Sequence, residues 1–205
     1  MDLDIRMDLR GAMASLAQLS DSQGRAAINR SLNRAAKSTA AKASSLIRGE
    51  LNVKATAFRE RTRKRSALIS VARAGVGGNA NLQASVRIAA QGAPLTDFKG
   101  TRETRKGLSV QIYKGRARKV LKGSFIYPGR RGGISAERMR TSTGRVPRGP
   151  IKILFGPAPA QFASKPRILG ALEGHARERF EIEFERDVAY RLTGAVSDRR
   201  GKQPV

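Results

Sequence analysis

The residue types that carry most enzymatic chemistry are scarce in this chain. It has one histidine, His175, and no cysteine, which removes disulfides, thiolate metal sites and cysteine nucleophiles. No HExxH, CxxC or GxSxG pattern occurs, and no phosphate-loop Gly-Lys-Ser/Thr. His175 stands between Gly174 and Ala176 and is expected to be a partly buried helix residue rather than a catalyst. Around it lie Glu173, Glu178, Glu181, Glu183, Glu185 and Asp187, with Arg177, Arg179, Arg186 and Arg191 interleaved. Glu–Arg pairs at helical spacing serve solubility and modest helix support. The expectation is a protein that is no enzyme and that holds neither metal nor cofactor.

The chemistry on offer is cationic. Lys and Arg number 41 against 16 acids, a net charge of +25. Residues 51–165 hold 25 of the basic residues and four acids (Glu60, Asp97, Glu103, Glu137), a net +21. Such a charge opposes compaction and attracts a polyanionic partner: nucleic acid, an acidic protein surface or an anionic membrane. The basic residues form two groups. "RERTRKR" (59–65) is contiguous, whereas "KGRARKVLKG" (114–123) and "GRRGG" (129–133) lie in loops beside strands. From the second group, Arg116, Arg118, Lys119, Lys122, Arg130 and Arg131 are candidate phosphate contacts, sequence-independent and salt-sensitive. Tyr113, Phe125 and Tyr127 are near them, where they either stack on bases or pack within strands. Arg-rich loops equally suit protein interfaces, because the guanidinium fork pairs with carboxylates.

The elements that must position these residues show in the spacing. Over 25–48, Ile28, Leu32, Ala35, Ala36, Ala40, Ala43, Leu46 and Ile47 recur at three and four, the helical period. Asp21 or Ser22 is the expected cap and Gly49 the expected stop. Asn52–Lys64 reads as a second short helix capped by Asn52, which would make a helix-turn-helix; most such pairs are packing units rather than DNA readers. From 66 to 127 the period changes to two: Ala67–Ala72, Leu82–Ala90, Leu108–Tyr113 and Phe125–Tyr127 read as half-buried antiparallel strands. Residues 128–149, with six Arg, one Glu and five Gly, read as a long loop or arm that orders on assembly. Ile151–Phe155 is a further strand, stopped by Gly156-Pro157. The final helix is expected over 166–192, with Ser164 as its cap and Pro166 in its first turn. Its apolar face is Leu169, Leu172, Ala176, Phe180, Phe184, Val188 and Leu192.

This order predicts an α+β fold: an antiparallel sheet packed by a long N-terminal and a long C-terminal helix, with extended basic loops. Residues 1–20 form an N-terminal segment, 21–193 one domain including the arm 128–149, and 194–205 a flexible tail. No segment approaches the ~18 apolar residues of a membrane span, and "MDLDIRMDLR" lacks the apolar core of a signal peptide. The reading is of a soluble protein that stays in the cytoplasm. The prolines flanking 151–155 make a rigid joint between arm and scaffold, where subunit contacts are expected. The candidate interface residues are Phe125, Ile126, Tyr127, Ile151, Ile153, Phe155 and Phe162.

In order along the chain, "AAINRSLNRAAKSTAAKASSLI", "VKATAFRERTRKR", "ASVRIAAQGAPLTDF", "KGLSVQIYKGRARKVLKGSFIYP", "RVPRGPIKILFGPAPAQF" and "LEGHARERFEIEFERDVAYRL" resemble the minor tail protein Z family of tailed bacteriophages and prophages. "PLTDF", "KGSFI" and "LFGP" are the most family-like blocks. The glycine- and arginine-rich loop after "KGSFIYP" departs from the family pattern. The resemblance implies a structural virion protein, assembled in the bacterial host cytoplasm, that completes the head-proximal end of the tail at the neck and joins tail to head. It implies a homo-oligomeric ring, commonly a hexamer, around the DNA channel. Its neighbours would be tail-terminator and head–tail connector proteins, and it would touch packaged DNA without sequence specificity. The alternative reading is a free nucleic-acid-binding protein of ribosomal or nucleoid type.

Overall fold

The computed structural model describes residues 2–4, 21–58, 67–75, 82–127, 133–138 and 151–200, with side chains between residues 22 and 193. The fold is α+β. Two long helices, α1 (Asp21–Glu50) and α3 (Pro166–Arg200), flank in sequence a short helix α2 (Pro159–Ala163) and eight of the nine strands among the described residues; the other strand precedes α1. The strands make three antiparallel-type sheets of three, in the orders β1-β3-β2, β4-β5-β6 and β7-β8-β9. They are β1 (Asp2–Asp4), β2 (Ile69–Ala72), β3 (Ser85–Ile88), β4 (Arg102–Thr104), β5 (Gly107–Val110), β6 (Lys119–Leu121), β7 (Ser124–Tyr127), β8 (Ile134–Arg138) and β9 (Ile151–Ile153). The chain divides into two compact units. One comprises Ala43–Ser70 and Ile88–Lys165; the other comprises Asp2–Lys42, Val71–Arg87 and Pro166–Val205.

In the second unit the helices α1 and α3 run antiparallel. The ion pairs Arg30–Asp187 (3.8 Å) and Arg34–Glu183 (3.1 Å), and the Ser38 Oγ–His175 Nε2 contact (3.0 Å), fall in opposite order along the two helices. The alanines on α1 suit helix formation and let a partner approach closely. Ala27, Ile28, Leu32, Ala35 and Ala36 are buried there, with Ile168, Leu172, Ala176, Phe180, Phe184 and Val188 on α3. The α3 stripe therefore begins at Ile168 rather than Leu169, which is only half-buried. Asn33 fixes the segment after β2: its Nδ2 donates to the Ala74 carbonyl (3.2 Å) and its Oδ1 accepts from the Ala74 N–H (2.9 Å).

The first unit holds the end of α1, the second and third sheets and α2. Gly49 does not stop α1, because the Leu51 N–H still reaches the Ile47 carbonyl at 2.8 Å and both side chains are fully buried. That burial offsets the ~1 kcal/mol cost of a helical glycine. The expected helix at Asn52–Lys64 is absent from its described part. Leu51 and Val53 instead bridge to Tyr113 and Phe98, and only a 3-10 turn forms at Ala55–Ala57. Asn52 caps nothing; its Nδ2 donates to the carbonyls of Lys99 and Gln111. A helix-turn-helix therefore has no second helix at 52–58, and "RERTRKR" lies outside the described residues. Gly107, at φ +128°, begins β5 where a side chain would strike the Leu121 carbonyl; β5 is the central strand of its sheet and is buried throughout.

Several boundaries differ from the sequence expectation. Lys119–Leu121, read as part of a loop, form β6, and Arg102–Thr104, in a polar stretch, form β4. Residues 134–138, assigned to the arm, form β8, the middle strand of the third sheet. The cause is a short alternation, Ile134 and Ala136 against Ser135 and Glu137, hidden between glycines and arginines. Of the remaining arm residues only Gly133 is among the described ones. Asp2–Asp4, assigned to an N-terminal segment, pairs with β3. Ser164 ends α2 and its Oγ donates to the Gln161 carbonyl (3.1 Å), so it does not cap the last helix. Finally, α3 continues to Arg200, since nothing between Thr193 and Arg200 except Gly194 breaks a helix.

Candidate assembly interface

Antiparallel register decides which side chains share a face, because directly opposed residues point the same way and neighbours along a strand alternate. In the third sheet Phe125 opposes Ala136, Tyr127 opposes Ile134, Ala136 opposes Ile153 and Arg138 opposes Ile151. One face therefore carries Phe125, Tyr127, Ile134, Ala136, Arg138, Ile151 and Ile153. The other carries Ser124, Ile126, Ser135, Glu137 and Lys152. Ala136 is fully buried, while Tyr127 is 48%, Ile151 36% and Ile153 44% exposed. The Arg138 guanidinium stands 5.5 Å over the Phe125 ring. Phe155, 45% exposed, continues the alternation of Ile151 and Ile153. Exposed apolar side chains gathered on one face are a feature that contact sites use.

The block that holds β9 in place explains the prolines and glycines of the sequence. Phe155 bridges to Pro94, the Gly156 N–H donates to the Ala93 carbonyl (2.7 Å), and the Leu95 N–H donates to the Leu154 carbonyl (3.3 Å). "PLTDF" and "LFGP" thus pack on each other. A Cβ at Gly156 would lie 2.5 Å from the buried Phe98 ring, and one at Gly92 would strike the Gly156 carbonyl. Ser135 completes the joint, with its Oγ donating to Leu154 O (2.9 Å) and its carbonyl accepting the Leu154 N–H. Pro159 opens α2, where its missing N–H costs nothing.

Of the seven interface candidates, the register brings Phe125, Tyr127, Ile151 and Ile153 to one face, with Phe155 continuing their strand. Ile126 points to the opposite face. Phe162 is core: it is 7% exposed, with its ring 6.3 Å from Tyr113 and the Lys165 ammonium 4.9 Å over it. Sequence reasoning missed Ile134 and Ala136, whose only signal was the alternation in "ISAE".

The six cationic candidates divide differently. Arg118 is engaged within the chain: its guanidinium donates to the Gly100 carbonyl and to Ser109 Oγ (3.2 Å). Arg116 lies 5.0 Å over the Tyr113 ring. Lys119 and Lys122 are exposed. Arg130 and Arg131 lie outside the described residues.

Two members of the acidic run of α3 are in structural pairs. Asp187, buried, accepts from Arg191 (2.8 Å) and faces Arg30; Glu183 accepts from Arg34 and from Arg186 (2.7 Å). Burial, then the nearby Lys42 and Arg179, hold the His175 imidazole below its ordinary pKa, with Glu178 opposing. No group of three or more His, Asp or Glu side chains among the described residues is arranged to hold a metal ion, and none of the described helices is long and apolar enough to cross a membrane.

Comparison with known proteins gives one match. A family model described as prophage minor tail protein Z (GPZ) covers residues 8–196. No curated protein and no solved structure matches the chain.

Proposed function

The chain belongs to the prophage minor tail protein Z family, and from that premise we propose that it completes the head-proximal end of the tail as a homo-oligomeric ring. The family makes it a structural protein of a phage tail and hence a component of the virion. In the proposed reading the ring, commonly a hexamer in tail-completion proteins, surrounds the DNA channel at the neck. Tail-terminator and head–tail connector proteins are its neighbours, and assembly takes place in the bacterial host cytoplasm.

One observation carries the reading. The β7–β8–β9 sheet exposes Tyr127, Ile151 and Ile153 on a single face beside Phe155. The joint at Gly156 holds that strand rigidly, so little ordering cost remains for association. A ring also accommodates the charge, since a positive lumen retains DNA through phosphate contact without reading bases. Lys119 and Arg116 are the described candidates suited to that role. Arg118 is not, because its donors are committed to the chain's own carbonyls.

The test is electron microscopy of purified particles together with light scattering of nuclease-treated protein. A ring at the top of the tail supports the reading. A single copy per tail, or placement at the distal tip, overturns it. The alternative of a free nucleic-acid-binding protein predicts instead a monomer that gains mass only with DNA and is absent from particles.

A further inference from the structure

Resting on the homo-oligomer reading, we propose that the apolar face of β7–β8–β9 on one copy receives the outward face of α3, centred on Ile182, from a second copy. Ile182 is 44% exposed in the middle of α3. Phe180 and Phe184, two residues to either side of it, face the core, and successive helical residues turn by about a hundred degrees. Ile182 therefore points away from the core that α3 shares with α1. Glu178, one turn before it, and Glu185, one turn after it, edge it on one side, with Glu181 beside them. All three are exposed and none has an ion pair among the described residues. On the other side Arg186 is already held by Glu183.

The two features complement each other in charge. The sheet face offers apolar side chains and a cation, and the helix face offers a single apolar anchor, Ile182, ringed by carboxylates. The sheet face carries Arg138, and the turn leading into β7 carries the exposed Lys122. Carboxylates from α3 of a neighbour would meet these cations at the rim, which fixes register and speeds encounter. The main rival, the sheet face docking on its own symmetry mate, would gather the Arg138 and Lys122 cations of two copies in one contact whose faces carry no carboxylate to pair with them. Because the two patches differ, the contact is heterologous, the type that repeats head-to-tail and closes into rings.

The absence of cysteine makes the test direct. Particles are assembled in cells that express Ile153→Cys and, with an affinity tag, Ile182→Cys, and are then oxidised and run without reductant. The expected result is a disulfide-linked dimer containing one copy of each variant. Particles carrying either variant alone should give no linked dimer. Glu173→Cys, elsewhere on α3, should not link to Ile153→Cys. Both isoleucines are exposed, so unchanged melting temperatures will show that the variants fold. If particles hold several copies but the mixed dimer is missing, or Ile153→Cys links to itself, this contact is wrong and the ring reading stands. If particles hold a single copy, both fall.

Discussion

Along α1 and α3, Ile28, Leu32, Leu172, Phe180 and Phe184 are buried, and Asp187 and Glu183 are paired with arginines of the same chain. Along β7, β8 and β9, Tyr127, Ile151 and Ile153 stand in solvent. The inward faces of the helix pair are satisfied within the chain, whereas the sheet face is not. Burial of apolar surface is the main favourable term in both folding and association. A region that leaves such surface open on a rigid strand therefore stores that term for a partner. The contrast predicts that substitutions in the buried core of the helix pair act on folding, and substitutions on the sheet face act on assembly.

The largest expected effect tests the first half. Leu172, fully buried, changed to Ala should cost ~2–5 kcal/mol, the usual range for a buried leucine, read as a shift in chemical denaturation. Ile153→Asp should change stability by only ~0.5 kcal/mol, as at other exposed positions, yet abolish incorporation into particles. If Ile153→Asp unfolds the protein, the sheet face is core and the contrast fails.

How much of this was legible beforehand depended on the length of the signal. The two long helices were visible because their apolar residues repeat over many turns, and Phe180, Phe184 and Leu172 fell where the period put them. β8 was hidden because only Ile134 and Ala136 mark it, among arginines and glycines. The face containing Phe125, Tyr127, Ile151 and Ile153 could be suspected from composition, but the face itself is a property of cross-strand register, which depends on which strand pairs with which. Phe162 misled for the same reason: its burial comes from Tyr113 and Lys165, distant in sequence or outside any period. Arg118 looked like a free cation because the carbonyls it serves, Gly100 and Ser109, belong to turns and strands that charge patterning does not reveal.

The joint between these residues and the sheet gives the next effect. Gly156→Ala places a methyl 2.5 Å from the Phe98 ring, which is itself fully buried. The expected loss is ~1–3 kcal/mol, as for other overpacked cores. Gly174→Ala on α3 meets nothing within 4 Å and should gain up to ~1 kcal/mol from helix propensity. Opposite signs in the same denaturation assay would support the difference between a packed joint and an open helix face.

A smaller effect separates the two kinds of cation. Arg118→Ala removes donors from the Gly100 and Ser109 carbonyls and should cost ~1 kcal/mol of stability, the net value of a typical hydrogen bond. Lys122→Ala should leave stability within ~0.5 kcal/mol. Arg116→Glu with Lys119→Glu should instead flatten the salt dependence of DNA retention in particles. Equal stability losses at positions 118 and 122 would erase the distinction between structural and free charge.

The smallest effect lies in the helix pair and concerns pH. Burial, Lys42 and Arg179 lower the His175 pKa in the folded protein, against Glu178, so the folded state favours the neutral ring that contacts Ser38 Oγ. The unfolded chain takes up the proton first as pH falls through about 6.5, the ordinary value for histidine. Stability therefore declines from there downward and levels off once the folded ring is also protonated. His175→Gln, which keeps a polar partner for Ser38, should remove that slope and leave stability at pH 8 nearly unchanged. Added salt should shrink the slope in the native protein only in part, because it screens Lys42 and Arg179 but not burial. A slope that survives His175→Gln would show that the pH sensitivity does not come from this imidazole, and the link between its burial and the stability of the helix pair would fail.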